Sequence, residues 1–336
     1  MEYCYCIRET TPSDKRAVLR IIDNVYEGLD YLSDYYDYFQ NSKHVTSYVY
    51  TENEKIIAYV ACFRVDNGET MVSRASRVSL VHRGNQVYKR FISQVETLQK
   101  ENGLPIYHAL LKTKDPSESF LGTYKLVATK AIHMFEYRKS NVSSKLKSHT
   151  ADYATKTKVI DNIPADFLSP PYSNYLFPEG RVILDWVPFR FLQTNIPLLK
   201  GRNTVFISDV AHAVETKSEK ETSETDTHQE TPVADNMQGL LSACTLIRTH
   251  HCFDVCCIVD MFGNDIRSLS DHIIVHLQRI HDTDLENINL IIVTSKGACE
   301  SCLLDKIIEP FEIERVTSGP RKEYCTEQHV YEKEIE

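Results

Sequence analysis

The chain has 336 residues, 42% of them apolar, enough for one large core or for about two domains of ordinary size. Eleven glycines and twelve prolines exclude collagen-like, elastic and broadly disordered classes. With 38 basic and 47 acidic residues the net charge is −9, which repels nucleic-acid phosphates and anionic membranes but allows a local basic site for a small anion.

The elements alternate from the start. Residues 3–9 read as a short strand, and Ser13 or Asp14 can cap a helix through Ala17, Val18, Leu19, Ile21 and Ile22. A Tyr-rich helix covers 31–40, and strands follow at 45–51, 55–65 and 70–80. Asp66-Asn67-Gly68 marks the turn between the last two. A long helix over 85–101 sets Val87, Phe91, Val95 and Leu98 on one face and stops at Asn102-Gly103. A strand at 106–112, a helix near 117–129 and a strand near 131–138 complete a first module, residues 1–140.

Residues 141–214 form a less regular connection, with strands expected at 181–187 and 204–208. Residues 215–236 hold seven acids and two lysines, with no aromatic, leucine or isoleucine, and read as a solvated acidic linker of charge −5. Phosphorylation of its Ser and Thr residues is the regulatory alternative. A second αβ series fills 237–336: helices near 236–249, 269–281 and 299–309, and strands at 254–260, 289–294 and 325–333. The fold class is α/β (α+β), a mixed sheet flanked by helices, with the second series repeating the architecture of the first but not its residues.

Ten irregularly spaced cysteines are too few for a disulfide scaffold. The first sixteen residues lack an apolar signal core, and runs such as VCCIVDMF are too short to span a bilayer. These features predict reduced thiols, a cytoplasmic location and no membrane partner. Cys299-Glu300-Ser301-Cys302 has the spacing of a redox dithiol, which requires a lowered thiol pKa. His250, His251, Cys252 and Cys256 are candidate zinc ligands, but Cys256 and Cys257 lie mid-strand facing opposite sides, so no metal is expected.

The order of the first module, and the run Arg77-Val78-Ser79-Leu80-Val81-His82-Arg83-Gly84-Asn85-Gln86-Val87-Tyr88, resembles the GNAT acetyltransferase superfamily. Tyr26–Leu32, Asp66–Thr70, Tyr124–Lys130, Val182–Pro188 and Val259–Gly263 look similar to the histidine N-acetyltransferase-like family within it. That family joins an N-terminal GNAT domain to a characteristic C-terminal domain, which here reads as a degenerate GNAT half. The resemblance implies transfer of acetyl from acetyl-CoA to the α-amine of a free amino acid or small amine, histidine favoured, in a ternary complex. Val78, Ser79 and Leu80 would meet the pantetheine arm. Arg83, Gly84, Asn85, Gln86, Val87 and Tyr88 would hold the pyrophosphate at a helix N-terminus, where unpaired N–H groups and the helix dipole favour an anion.

Two positions depart from the family loop: Gln86 and Tyr88 stand where small residues are usual. They motivate the alternative of a catalytically inactive acyl-CoA sensor or interaction protein. Tyr124 falls in the region from which the superfamily draws the proton for the leaving thiolate, although simple packing also accounts for it. Glu69 is the candidate base acting through a water, with a solvated hairpin acid as the plainer reading. Asp30, Tyr26 and Tyr31 are the candidate acceptor contacts, and the tyrosine spacing also suits helix packing. The oligomeric state is not legible in the sequence.

Overall fold

The structure is a computed structural model that describes residues 4–23, 25–101, 103, 105–142, 145–146, 157–212, 237–249, 253–321 and 326–335. The acidic stretch 215–236 and His250, His251, Cys252 and Cys325 lie outside the described residues.

The first part of the chain runs β1 (Tyr5–Glu9), α1 (Lys15–Leu19), α2 (Leu32–Asn41), β2 (Val45–Glu52), β3 (Lys55–Val65), β4 (Thr70–Val78), α3 (Val87–Glu101), β5 (Tyr107–Lys112), α4 (Glu118–Leu121) and β6 (Lys125–Arg138). Then come β7 (Lys158–Ile160), α5 (Tyr172–Leu176), β8 (Val182–Leu184), β9 (Val187–Phe189), α6 (Ile196–Leu199), β10 (Thr204–Ser208) and β11 (Ala211–His212). The last part runs β12 (Met237–Gln238), β13 (Leu241–Arg248), β14 (Val255–Phe262), α7 (Ile266–His281), β15 (Asn287–Ser295), α8 (Ser301–Ile308), β16 (Glu314–Arg315) and β17 (Glu327–Glu334).

One sheet carries both parts, in the order β1-β2-β3-β4-β5-β17-β6-β15-β14-β13-β10-β7, with β16 beside β6. Its pairs are antiparallel except β4 with β5 and β14 with β15. Each parallel pair is joined by a long helix, α3 or α7, as a parallel crossover requires. Val87, Phe91, Ile92 and Val95 of α3 bury against Tyr48, Tyr50, Ala58 and Met71 on one face. Leu32, Tyr35, Tyr36 and Phe39 of α2 bury on the other face of the same strands, against Val49, Tyr59, Ala61 and Phe63.

Three expectations change. The helix near 236–249 is instead the strands β12 and β13, because Leu241, Ala243 and Ile247 bury on one side of the sheet and Cys244 on the other. The helix near 117–129 shrinks to α4, and the following strand begins at Lys125, where the run LVATKAI pairs with β17. The strand at 181–187 is a hairpin, β8 and β9, turning at Asp185-Trp186.

The two parts exchange edges. β17 inserts between β5 and β6, pairing Tyr331 with Leu110 and Val330 with Ala128. β6 then pairs with β15 over nine residues, Asn287–Arg138 to Ser295–Lys130. Val330 is fully buried among Ala128, Ile183, Leu111 and Val127. Val330→Ala is therefore expected to cost about 2 kcal/mol, from the lost methyl groups and the space they leave. Urea unfolding should show the same shift by the fluorescence of Trp186, the sole tryptophan, and by circular dichroism. Non-coincident midpoints would mean that the two parts unfold separately.

Candidate active site

β4 and β5 run parallel from Thr70–Tyr107 to Ser73–Leu110 and then part. Beyond that point β4 bulges: while β3 advances from Tyr59 to Ala61, β4 covers Arg74 to Arg77, and Ala75 takes a left-handed φ of +52°. A bulge frees backbone groups and bends its strand away, and here it opens a fork in the sheet. The bulge N–H of Ala75 is at present donated to the Tyr31 hydroxyl at 2.9 Å.

After the fork the chain turns through Ser79–His82 and the loop Arg83-Gly84-Asn85-Gln86 into α3. Among the described residues, no acceptor takes the N–H groups of Gly84, Asn85, Gln86, Val87, Tyr88 or Lys89; the first N–H used is that of Arg90, donated to the Gln86 carbonyl. Such a row at a helix start attracts an anion. Leu80 and Val81 are exposed beside it. Gly84 has φ +80° and open space where a Cβ would be. Gln86 has φ +56°, a conformation that glycine adopts without strain, which gives a physical meaning to the small residue usual there. Tyr88 does not project into the loop: its hydroxyl lies 3.2 Å from Ser76 Oγ, and its ring packs against the α3-side core of β4.

Tyr124 lies on the same face of the sheet, stacked on Phe120 and next to Leu110 and Tyr331. Its hydroxyl is 2.9 Å from Nδ1 of His108 on β5. His108 is wholly buried, with Nε2 at 2.7 Å from Ser73 Oγ and Nδ1 at 2.6 Å from Glu96 Oε1 on α3. Lys333, carried in by β17, donates to Glu96 at 2.9 Å. Ser73 is the last β4 residue paired to β5, so this cluster stands at the root of the fork. Burial, reinforced by the Glu96 charge, raises the Tyr124 hydroxyl above its ordinary pKa, keeping it protonated.

The opposite face is closed by ion pairs. Asp30 takes Arg77 in a two-toothed contact at 3.0 and 3.2 Å and also accepts the Leu32 N–H at the start of α2. Both partners are buried, so an acceptor amine reaches Asp30 only by displacing Arg77. Arg74 pairs with Asp185 at 3.1 Å at the tip of the β8–β9 hairpin, inside a ring of Tyr31, Tyr35, Phe39 and Phe63. Tyr35 also donates to Asp185, and the Asp185 N–H donates to Asp260, whose buried carboxyl is pushed up to about 7. A cavity of about 50 Å³ opens here, lined by Tyr38, Phe63, Arg74, Asp185, Val187 and Phe189 among others. Tyr26 stacks on Tyr31 with ring centres 6.2 Å apart.

The structure thus groups Val78, Ser79, Leu80 and residues 83–88 at one fork, with Tyr124 at its root and Tyr26, Asp30 and Tyr31 behind it. It does not bring Glu69 to them. Glu69 precedes β4, four residues before Ser73 and so about 13 Å away along the strand, facing Arg190 at 3.8 Å. His108, Glu96, Ser73, Lys333, Arg74 and Asp185 were not singled out from the sequence. The one signal for His108 was a histidine inside the otherwise apolar run YHALL.

The second parallel pair is built alike but ends differently. Asp265 caps α7, accepting the N–H of Arg267 at 3.1 Å and of Gly239 at 3.0 Å, so a carboxylate already fills the helix start. The Cys299 thiol is pushed up to about 11 by burial, opposite to what a redox dithiol needs. Among the described residues there is no cluster of His, Cys, Asp or Glu able to hold a metal. No helix among them is long and apolar enough to cross a membrane.

The Asp265 carboxyl is held at about 2, chiefly by its bonds from Arg267. Its folded value lies below the ordinary value of about 3.9, so its stabilisation is complete above pH ~4 and is lost as pH falls through 2. Asp265→Asn should leave the protein less stable at pH 7 but narrow the loss of urea midpoint between pH 5 and pH 2. An unchanged loss would show that the carboxylate is not held this way.

A family model described as "Histidine N-acetyltransferase, C-terminal" matches residues 159–224. The chain is 28% identical over 209 residues to "Probable N-acetyltransferase 16" of Homo sapiens, covering 57% of this chain and 55% of that protein. It is 23% identical over 295 residues to "Histidine N-acetyltransferase" of Scomber australasicus, covering 82% and 79%. The match thus spans about half the length of the first relative and four fifths of the second. Among solved structures, a "Tandem GNAT protein from the clavulanic acid biosynthesis pathway" superposes with TM-score 0.51 at 8% identity, covering 100% of this chain and 99% of that one. A "GCN5-related N-Acetyltransferase from Sphaerobacter thermophilus" does so with TM-score 0.50 at 10% identity, covering 98% and 96%. At these identities the likeness is one of fold alone. Residues 159–224 thus match the C-terminal model of the histidine N-acetyltransferases, and the whole chain shares its fold with solved GNAT acetyltransferases.

Proposed function

We propose that the protein is an N-acetyltransferase that moves acetyl from acetyl-CoA to the α-amine of a free amino acid or similar small amine, with histidine the favoured acceptor. The observation that carries this reading is the row of unused N–H groups at residues 84–89, beside strands that part after Ser73 and Leu110. The cofactor pyrophosphate would take these N–H groups, with Arg83, Lys89 and Arg90 adding charge. Val78, Ser79 and Leu80 would flank the pantetheine arm at the fork. The names of the relatives support the acceptor: one of the two cited is called a histidine N-acetyltransferase.

The acceptor would approach from the α2 face, past Tyr26, Tyr31 and the Arg74–Asp185 pair. Its neutral nitrogen attacks the thioester carbonyl and a C–N bond forms. The Ala75 N–H is the bulge donor placed for the developing oxyanion once Tyr31 releases it. The C–S bond then breaks, and the sulfur takes the proton of Tyr124, a buried hydroxyl at the root of the fork. The excess proton of the amine leaves through water, since Glu69 is too distant to take it directly. The second half, its helix start filled by Asp265, contributes walls and strands rather than a second cofactor site.

The test is calorimetry with acetyl-CoA, followed by product analysis across a panel of free amino acids. Binding and turnover are expected; Tyr124→Phe should lower kcat by about 10²-fold or more while leaving acetyl-CoA affinity within about threefold. Binding without turnover of any amine would favour the sensor reading, which the Gln86 side chain and the Tyr31–Ala75 contact motivate. No binding at all would remove the transferase and the sensor and favour the interaction protein.

Gln86→Gly takes a side chain off the N–H row and relieves about 1 kcal/mol of backbone strain. It should raise the thermal midpoint and tighten acetyl-CoA binding by roughly three- to tenfold. A raised midpoint with unchanged affinity would show that the glutamine does not shade the loop.

A further inference from the structure

The neighbours of His108 determine where its single proton lies. Burial lowers the pKa of the imidazole, with Glu96 opposing only in part, so the ring is neutral at neutral pH. Burial also acts to raise Glu96, but its bonds and charge interactions with His108 and Lys333 outweigh this and hold the carboxyl below its ordinary value. An ionised carboxylate only accepts, so at 2.6 Å it takes the hydrogen on Nδ1. Nε2 is then the acceptor for the Ser73 hydroxyl at 2.7 Å. It follows that Tyr124, 2.9 Å from the same Nδ1, cannot donate to it. Its oxygen shares the Nδ1 hydrogen with Glu96, and its own proton has no acceptor among the described residues.

We infer that His108, oriented by Ser73, Glu96 and Lys333, is a positioning residue for Tyr124: it holds the phenol oxygen by an N–H and leaves the phenolic proton free for the departing thiolate. This rests on the reading of Tyr124 as the proton donor of acetyl transfer. As the C–S bond breaks, its electron pair goes to sulfur and the phenolic proton follows. The phenolate left behind takes a larger share of the Nδ1 hydrogen, and recovers a proton from water once CoA has left. No proton is lost from His108 and no charge is left on it. Lys333 holds Glu96 ionised, so the last strand of the chain tunes a group in the first half.

The test is a double-mutant cycle on the full chain, with Tyr124→Phe, His108→Leu and the pair, measuring kcat, KM and acetyl-CoA affinity. His108→Leu is expected to lower kcat by at least about tenfold, leaving acetyl-CoA affinity and KM within about threefold. The double variant should be no slower than Tyr124→Phe, because the histidine acts only through the tyrosine. His108→Asn keeps an N–H donor near the Nδ1 position and should recover most of the lost kcat. If His108→Leu does not fold, Glu96→Gln and His108→Asn carry the same cycle: Glu96→Gln must slow the parent protein and not the Tyr124→Phe protein. Factors that multiply in the double variant would assign His108 a structural role and overturn the inference alone. A Tyr124→Phe variant with full kcat would overturn the proton-donor reading, and this inference with it. Failure to acetylate any amine would remove the reaction itself.

Discussion

The last strand of the chain, β17, lies between β5 and β6, and everything on the α3 face of the fork depends on it. Without Glu327–Glu334, β5 would present an open edge beyond β4, and β6 would keep only its two-residue pairing with β16 on that side. An unpaired edge leaves its backbone groups to water or to another chain. β6 reciprocates by forming the longest run of pairs in the second half of the sheet, with β15. Neither half completes its own sheet. The exchange explains why two units with separate helices share one backbone network, and why Lys333 arrives at Glu96 from 237 residues away.

The opposite face of the sheet buries two ion pairs. Burying an isolated ion is costly, and a buried pair recovers that cost only with good geometry and further hydrogen bonds. The two pairs on the α2 face meet this condition. Arg77 and Asp30 share two contacts, and Asp30 also accepts the Leu32 N–H. Arg74 and Asp185 are joined by Tyr35 and by four aromatic rings around the guanidinium. The tip of the β8–β9 hairpin has left-handed φ values at both Asp185 and Trp186, a conformation that favours glycine or asparagine. Its cost is tolerated where the surroundings fix it, and here Arg74, Tyr35 and Asp260 all grip Asp185. The α2 face is thus rigid at the point where an acceptor would enter.

Local pattern made much of the fold legible. The long helices, the strands of the first half and the strand 204–208 follow from apolar periodicity and turn residues. The misplaced elements are those whose environment is non-local. Leu241–Arg248 has no strict alternation because both faces of β13 are buried, and such a run cannot be told from a buried helix by period alone. Lys125–Ala131 looks too polar for a central strand until β17 covers it. In the site, the turn and helix start at 83–88 are local and legible, while their reading as a cofactor loop rests on the resemblance. The cluster of Ser73, Glu96, His108, Tyr124 and Lys333 is not legible, because its five residues come from four strands or helices and one loop, and no spacing in the chain relates them. Simple packing, the plainer account of Tyr124, leaves out the His108 imidazole that stands 2.9 Å from its hydroxyl.

The two crossovers show how one architecture gives two kinds of helix start. Each has an antiparallel hairpin, a parallel strand and a long helix between them. At α7 the residue before the helix is Asp265, whose carboxylate satisfies two N–H groups and places a negative charge where an anion would sit. At α3 the corresponding residues are Asn85 and Gln86, neither of which caps the helix, and the N–H row is left unused. An uncapped start costs about 1 kcal/mol relative to a good cap. Of the two crossover helices, the one left open is the one next to the fork. The low glycine content sharpens the point. The loop keeps its left-handed turn at Gln86 without glycine, so its shape is held by the surrounding strands and by Tyr88 on Ser76 rather than by the freedom of its own backbone.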